Sequence, residues 1–224
     1  MLAKVYSAAV IGVEAYEVEI EVDAGMGTAK IIVVGLPDAA VKESKDRVTA
    51  AISNSGYYWP QTQTTVNLAP AHVKKEGPSF DLPIAVGMVA AAQQLTLDNA
   101  KDYCLVGELA LSGNIRAVKG ILPIAIEARL CRKRALFVPE ANASEASVVE
   151  GIAVFGVKSL RQVFEFLKAE AKGELLKNEE PPLIQYKQDL QAFFARHRNF
   201  SRRVHAGGSH ESLPIGFQMG EKRA

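Results

Sequence analysis

The sequence predicts an α/β (α+β) domain: a mixed sheet with helices packed on it. Three observations carry this. Between Tyr16 and Ala24, Val18, Ile20 and Val22 alternate with Glu17, Glu19, Glu21 and Asp23, the two-residue period of a half-buried strand. Soon after, Ala29 to Val34 (A-K-I-I-V-V) is a short, almost continuously apolar run. From Asp38 the period changes to that of a helix, with Val41, Val48, Ala51 and Ile52 on one side and Lys42, Glu43, Lys45, Asp46 and Arg47 on the other.

The elements follow in order. Lys4 to Val13 reads as a first strand and Tyr16 to Ala24 as a second, wet on its acidic face. Gly25 and Gly27 bracket a turn into the third strand, Ala29 to Val34, whose unbroken apolar character predicts a central place in the sheet. Gly35-Leu36-Pro37-Asp38 ends that strand, and Asp38 is the expected N-cap of a helix running to about Asn54, with Gly56 at its C-cap. Thr62 to Leu68 is a strand and Pro70 to Pro78 a loop. Asp81 to Leu95 is a helix apolar on several sides, with Pro83 in its first turn, where proline is tolerated. Short strands are expected at Tyr103 to Val106, Leu109 to Leu111 and Ile115 to Val118, the last two separated by the turn Ser112-Gly113-Asn114. A helix at Leu122 to Cys131, a strand at Ala135 to Val138, a short helix at Ala143 to Val149 and a strand at Ile152 to Phe155 follow. The last helix, Ser159 to Ala171, is capped by Ser159.

Residues 1–170 are thus read as one domain. Residues 171–190, with Glu179-Glu180-Pro181-Pro182, read as a linker, and 191–224 as a disordered basic tail holding three of the four histidines.

Composition excludes several classes. The 224 residues carry a net charge of +1, so no global field announces a nucleic acid or a membrane. No apolar run approaches the ~20 residues of a membrane span, and no secretory signal is credible, so the expected compartment is the cytoplasm. Cys104 and Cys131 lack metal-ligand spacing and read as free thiols. His72 has no companion ligand, so no metal is expected, and Gly25-Met26-Gly27 reads as a hairpin turn, not a phosphate cradle.

Two blocks concentrate the chemistry: G-P-S-F-D-L-P-I-A (Gly77 to Ala85) and G-E-L-A-L-S-G-N-I-R-A-V-K-G-I-L-P (Gly107 to Pro123). Ser79 is placed like a nucleophile at a helix N-terminus, where the dipole would assist an oxyanion. The plainer reading makes it a helix cap, with Asp81 assisting the first turn. Gly107-Glu108-Leu109-Ala110-Leu111-Ser112-Gly113 resembles the signature G-E-x-x-L-x-G of Lon-type proteases. That resemblance implies a serine–lysine dyad, yet an ungapped alignment puts Leu122 at the lysine position. Leucine cannot accept a proton, so the dyad is broken and Ser79 is a vestigial nucleophile position. Lys119 lies three residues earlier, before the helix.

A longer resemblance covers residues 1 to about 167. Val34 to Val48 (V-G-L-P-D-A-A-V-K-E-S-K-D-R-V), Asn67 to Ala85, Gly107 to Pro123 and Val138 to Ala146 (V-P-E-A-N-A-S-E-A) resemble the N-terminal domain of magnesium-chelatase-like AAA+ ATPases of the ComM/YifB type. The resemblance implies a Lon-protease-like fold preceding an ATPase core, and hexameric rings that move branched DNA during natural transformation. ATP and magnesium belong to the intact family; no P-loop G-x-x-x-x-G-K-[ST] occurs here, so no cofactor is expected in this chain. The implied role is that of a non-catalytic accessory domain acting in assembly or in engaging DNA or a partner protein. Two alternatives stand beside it: residual Ser-Lys hydrolase activity, and a stand-alone interaction module. The tail reads either as an out-of-frame translation of the missing ATPase start or as a true basic tail. Lys74, Lys75, Arg116, Lys119, Arg129 and Arg132 are the candidate phosphate contacts. The plainer reading is that they answer helix dipoles and keep the surface soluble.

Overall fold

A computed structural model describes residues 1–172 and the backbone of residues 184–186. The expectations for the remainder of 171–190 and for 191–224 lie outside the described residues.

Strands β1 (Leu2–Ile11) and β2 (Glu14–Ala24) form a hairpin over the two-residue turn Gly12-Val13. Strand β3 (Lys30–Val34) leads into helix α1 (Ala39–Asn54), and β4 (Gln63–Ala69) returns to the sheet. The order is β1-β2-β4-β3, antiparallel except for the parallel pair β3–β4. Alternation in β2 does what the sequence requires: Val18, Ile20 and Val22 are fully buried, while Glu19, Glu21 and Asp23 lie on the outer face.

Strand β3 departs from expectation. It is an edge strand, not a central one, and its residues are half-buried or exposed. Ile31 and Val33 pack on the core, whereas Val34 opens to solvent. The apolar run therefore marks one buried face and one bare one.

Helix α2 (Asp81–Ala91) is buried at all eleven positions, ends four residues earlier than expected, and lies across β1 and β2 beside α1. A helix apolar on every side has to sit within the core. Gly87 lets it do so: a Cβ there would stand 2.7 Å from Val22 Cγ2.

The second half builds a smaller sheet. Strands β5 (Tyr103–Leu105), β8 (Ala135–Pro139) and β9 (Ala153–Val157) are parallel, and β10 (Ile184–Tyr186) adds antiparallel to β9, within the stretch expected to be linker. The ribbon β6 (Glu108–Leu109) and β7 (Ile115–Arg116) stands apart. Helices α3 (Ile121–Leu130) and α4 (Glu140–Ala146) bring Ile121, Ile124, Ala125, Ala143 and Ala146 onto Leu136, Val138 and Val154. Helix α5 (Leu160–Ala171) sets Phe166 against Phe137 and Phe155 at 5.1 Å each. Ser159 caps α5 by accepting from Gln162 N, and Asp38 caps α1 by accepting from Val41 N.

Candidate functional site

The motif-bearing segments converge on one buried knot. Gly77, at φ +80°, turns the chain into a short 3-10 helix, Pro78–Phe80, that carries Ser79. Its N–H donates to Asp38 Oδ2 at 3.0 Å, so the residue that caps α1 also holds the Ser79 loop. The Ser79 carbonyl accepts from Gly107 N at 2.9 Å, and the Gly107 carbonyl accepts from Leu82 N at 3.0 Å. The two blocks are therefore clasped backbone to backbone. Gly107 has to be glycine for the clasp to close, since a Cβ would lie 2.8 Å from Ile115 Cγ2.

Asp81 sits beneath this clasp, wholly buried. Its carboxylate accepts from Arg47 Nε at 2.9 Å, Arg47 Nη2 at 3.2 Å and Leu109 N at 3.2 Å. Burial pushes the Asp81 carboxyl above the usual range, against the opposing pull of Arg47 and the Leu109 N–H. The same bond to Asp81 raises Arg47. The expectation that Asp81 assists the first turn of α2 is corrected here: it binds α1 to α2 and β6. Ser79 is not the helix cap either, because Phe80 holds that position with no side-chain bond. Among the described residues nothing hydrogen-bonds the Ser79 hydroxyl. Leu122, at the dyad-lysine position, is half-buried against the cluster around Ile121 and Ala8.

The six candidate cations divide. Lys75 is fully buried, and its Nζ donates to the Pro70 carbonyl. Burial holds its pKa below the usual lysine range. It cannot reach a phosphate, which corrects its place among the surface contacts. Lys74 pairs with Glu76 at 2.6 Å and Arg116 with Glu108 at 3.2 Å. Lys119, Arg129 and Arg132 are exposed and have no ion pair among the described residues. Lys119 stands just before α3, Arg129 in its last turn and Arg132 just beyond it. The ten-residue helix separates the two ends by roughly 15 Å. The neighbouring Lys133 is buried, ion-paired to Glu17 and lying over the Tyr6 ring at 3.8 Å.

Sequence reasoning missed Arg47 as the partner of Asp81, since the two are 34 residues apart. It also missed the apolar outer side of α3. There Pro123, Ile126 and Leu130 lie with Val13 and Tyr16 around a hollow of about 420 Å³. No group of three or more possible metal ligands occurs among the described residues.

The family model described as subunit ChlI of Mg-chelatase matches residues 19–142, more than half of the chain and the span that holds this knot. The chain belongs to that family. Within it, the chain is 44% identical over 171 residues to the competence protein ComM of Haemophilus influenzae, covering 76% of this chain and 33% of that protein. It is 37% identical over 216 residues to the protein YifB of Escherichia coli, covering 96% of this chain and 42% of the relative. The chain thus spans about a third of the length of the first of these curated relatives and somewhat more of the second. A weaker likeness, 21% over 164 residues, reaches Lon protease 2 of Bacillus subtilis, covering 66% of this chain and 29% of that protein. It accords with the observed mixed sheet and packed helices. No helix among the described residues is long and apolar enough to cross a membrane.

Proposed function

We propose that this chain is a non-catalytic accessory domain of a ComM/YifB-type magnesium-chelatase-like ATPase and serves DNA processing, in the cytoplasm, by engaging DNA or a partner subunit. The observation that carries the reading is the use made of the motif residues. Asp38, Arg47, Gly77, Asp81 and Gly107 hold the scaffold together, and none is left free for chemistry. The sequence retained around Ser79 thus maintains a shape, while the hydroxyl has no base and Leu122 supplies none. ATP and magnesium would be bound by the ATPase core of an intact relative, and the hexameric ring would be formed there.

The DNA contact, in this reading, falls to Lys119, Arg129 and Arg132, whose charges are unspent. The outer face of the first sheet is unsuited to it, since Glu19, Glu21 and Asp23 line that face. A second reading, a protein partner, is favoured by the hollow beside α3, where Val13, Tyr16, Pro123, Ile126 and Leu130 lie with Glu14 and Glu127.

Fluorescence anisotropy with branched DNA across a salt series separates the two. Each phosphate contact contributes about −0.7 to −0.9 to the slope of log K against log salt. Replacing Lys119, Arg129 and Arg132 together by Ala should flatten that slope by about two to three. An unchanged slope would remove the DNA contact from this face and leave the protein partner.

A further inference from the structure

We propose that the hollow beside α3 is a docking site for an amphipathic segment of a partner protein, one whose apolar residues are flanked by Lys or Arg. The inference rests on the protein-partner reading above and names the chemistry that the partner must carry.

Helix α3 is built with two apolar stripes. Ile121, Ile124, Ala125 and Ala128 follow the i, i+3, i+4, i+7 spacing of a core-facing helix and are buried with Leu136, Val138 and Val154. Pro123, Ile126, Glu127 and Leu130 repeat that spacing two residues further on, and all four line the hollow. At 3.6 residues per turn, a step of two residues carries the second stripe to the opposite side of the helix. The first stripe is used by the fold and the second is not: Ile126 is 40% exposed and Leu130 65%.

The end of the β1–β2 hairpin supplies the facing wall. Val13, in the turn, is 91% exposed, and Tyr16, at the start of β2, is 40% exposed. The two walls enclose about 420 Å³. Exposed apolar side chains scattered singly need no explanation, but Val13, Tyr16, Ile126 and Leu130 are gathered around one space, as at a contact site.

The carboxylates select the occupant. Glu14 stands on the hairpin wall and Glu127 on the helix wall. Glu14 accepts from Tyr16 Oη at 2.9 Å, and Glu127 accepts from Cys131 Sγ at 3.4 Å. Both donors are neutral, and among the described residues neither carboxylate has an ion pair. Two negative charges therefore flank an apolar floor, and the complementary partner brings cations to both. A nucleic acid would bring phosphates against them instead. A second copy joined hollow to hollow would oppose Glu14 and Glu127 to their own counterparts, since such a union sets the same patch on both sides. A segment with apolar anchors at helical spacing and basic residues beside them satisfies the floor and the rim together.

Peptide selection on the full chain tests this. Short random peptides displayed on phage are selected on the native chain and counter-selected on Leu130→Ser. Circular dichroism checks that the variant folds, and Ile126→Ser replaces it if it does not. The expected result is enrichment of peptides that combine apolar residues at helical spacing with Lys or Arg. A labelled peptide from that set, followed by fluorescence anisotropy, should bind Leu130→Ser at least about tenfold more weakly. Glu14→Gln with Glu127→Gln should weaken it several-fold and flatten its salt dependence, whereas Glu165→Gln, on α5, should change neither. Peptides that depend on Leu130 but carry no basic residue would overturn the proposed chemistry and leave the protein-partner reading standing. No enrichment, or peptides that bind the native chain and Leu130→Ser alike, would overturn both. A native chain that sediments as a dimer while Leu130→Ser sediments as a monomer would place a second copy in the hollow and overturn the proposal as well.

Discussion

Cys104 and Cys131 illustrate how burial decides what a residue can do. Cys104 is buried and its thiol is pushed up to about 12, chiefly by desolvation. Cys131 is pushed up to about 11, again by desolvation first, then by Glu17 and the bond to Glu127. A thiol of that kind is inert at neutral pH, since the thiolate is the nucleophile. The same shift predicts a pH dependence. A group whose pKa rises on folding contributes stability that is complete below its unfolded value and lost as pH climbs through the folded one. For Cys104 that window runs from 9.0 to about 12. The unfolding free energy of the native chain should therefore fall in that window more steeply than that of Cys104→Ala, while the difference between them stays constant below pH 9. Urea titrations at a series of alkaline pH values measure this, and parallel curves would refute the assignment.

At the scale of elements, the strongest claim concerns the joint between α1, α2 and β6. Among the described residues Asp81 is the only acceptor Arg47 has besides the Ala40 carbonyl, and Asp81 has no exposure. Removing one member of a buried pair leaves the other uncompensated, at a cost of about 3 kcal/mol. Asp81→Ala should lower the denaturation midpoint accordingly, whereas Asp81→Asn, which keeps an acceptor for Leu109 N, should cost less. Equal losses would mean that the Leu109 N–H bond contributes nothing and that the whole cost comes from the charge left unpaired on Arg47.

This joint also marks the limit of what the sequence reveals. The caps at Asp38 and Ser159 and the alternation in β2 were legible because each is a local pattern, settled within four residues. Asp81 and Lys75 were misread because burial depends on partners far along the chain. Asp81 looks like a first-turn acid and Lys75 like a loop cation until Arg47 and Pro70 are brought beside them. The same limit explains β3. An apolar run shows that a strand is sticky, not how many neighbours it has: Ile32 is only half-buried and Val34 is exposed. Of the candidate site, the clasp between the two blocks was legible as motif but not as structure, because its bonds are between backbone groups of Ser79, Leu82 and Gly107.

For the whole molecule, the question is whether a Lon-like scaffold retains Lon-like chemistry. A serine hydrolase needs a nucleophile, a base within hydrogen-bond reach and donors for the oxyanion. Here the nucleophile position survives on its loop, clasped to Gly107. The Gly107 N–H is spent on the Ser79 carbonyl. The base position is occupied by a half-buried leucine whose side chain belongs to the packing around Ile121. On the function proposed above, the base is therefore missing at the position where the resemblance places it. A fluorophosphonate probe should leave Ser79 unlabelled in the native chain, and Leu122→Lys should not change that. Labelling of native protein that disappears in Ser79→Ala would show an activated hydroxyl. Lys119, the nearest cation in sequence to the lost position, would then be the residue to replace next, because only a base brought to Ser79 by a movement of the segment before α3 could account for it.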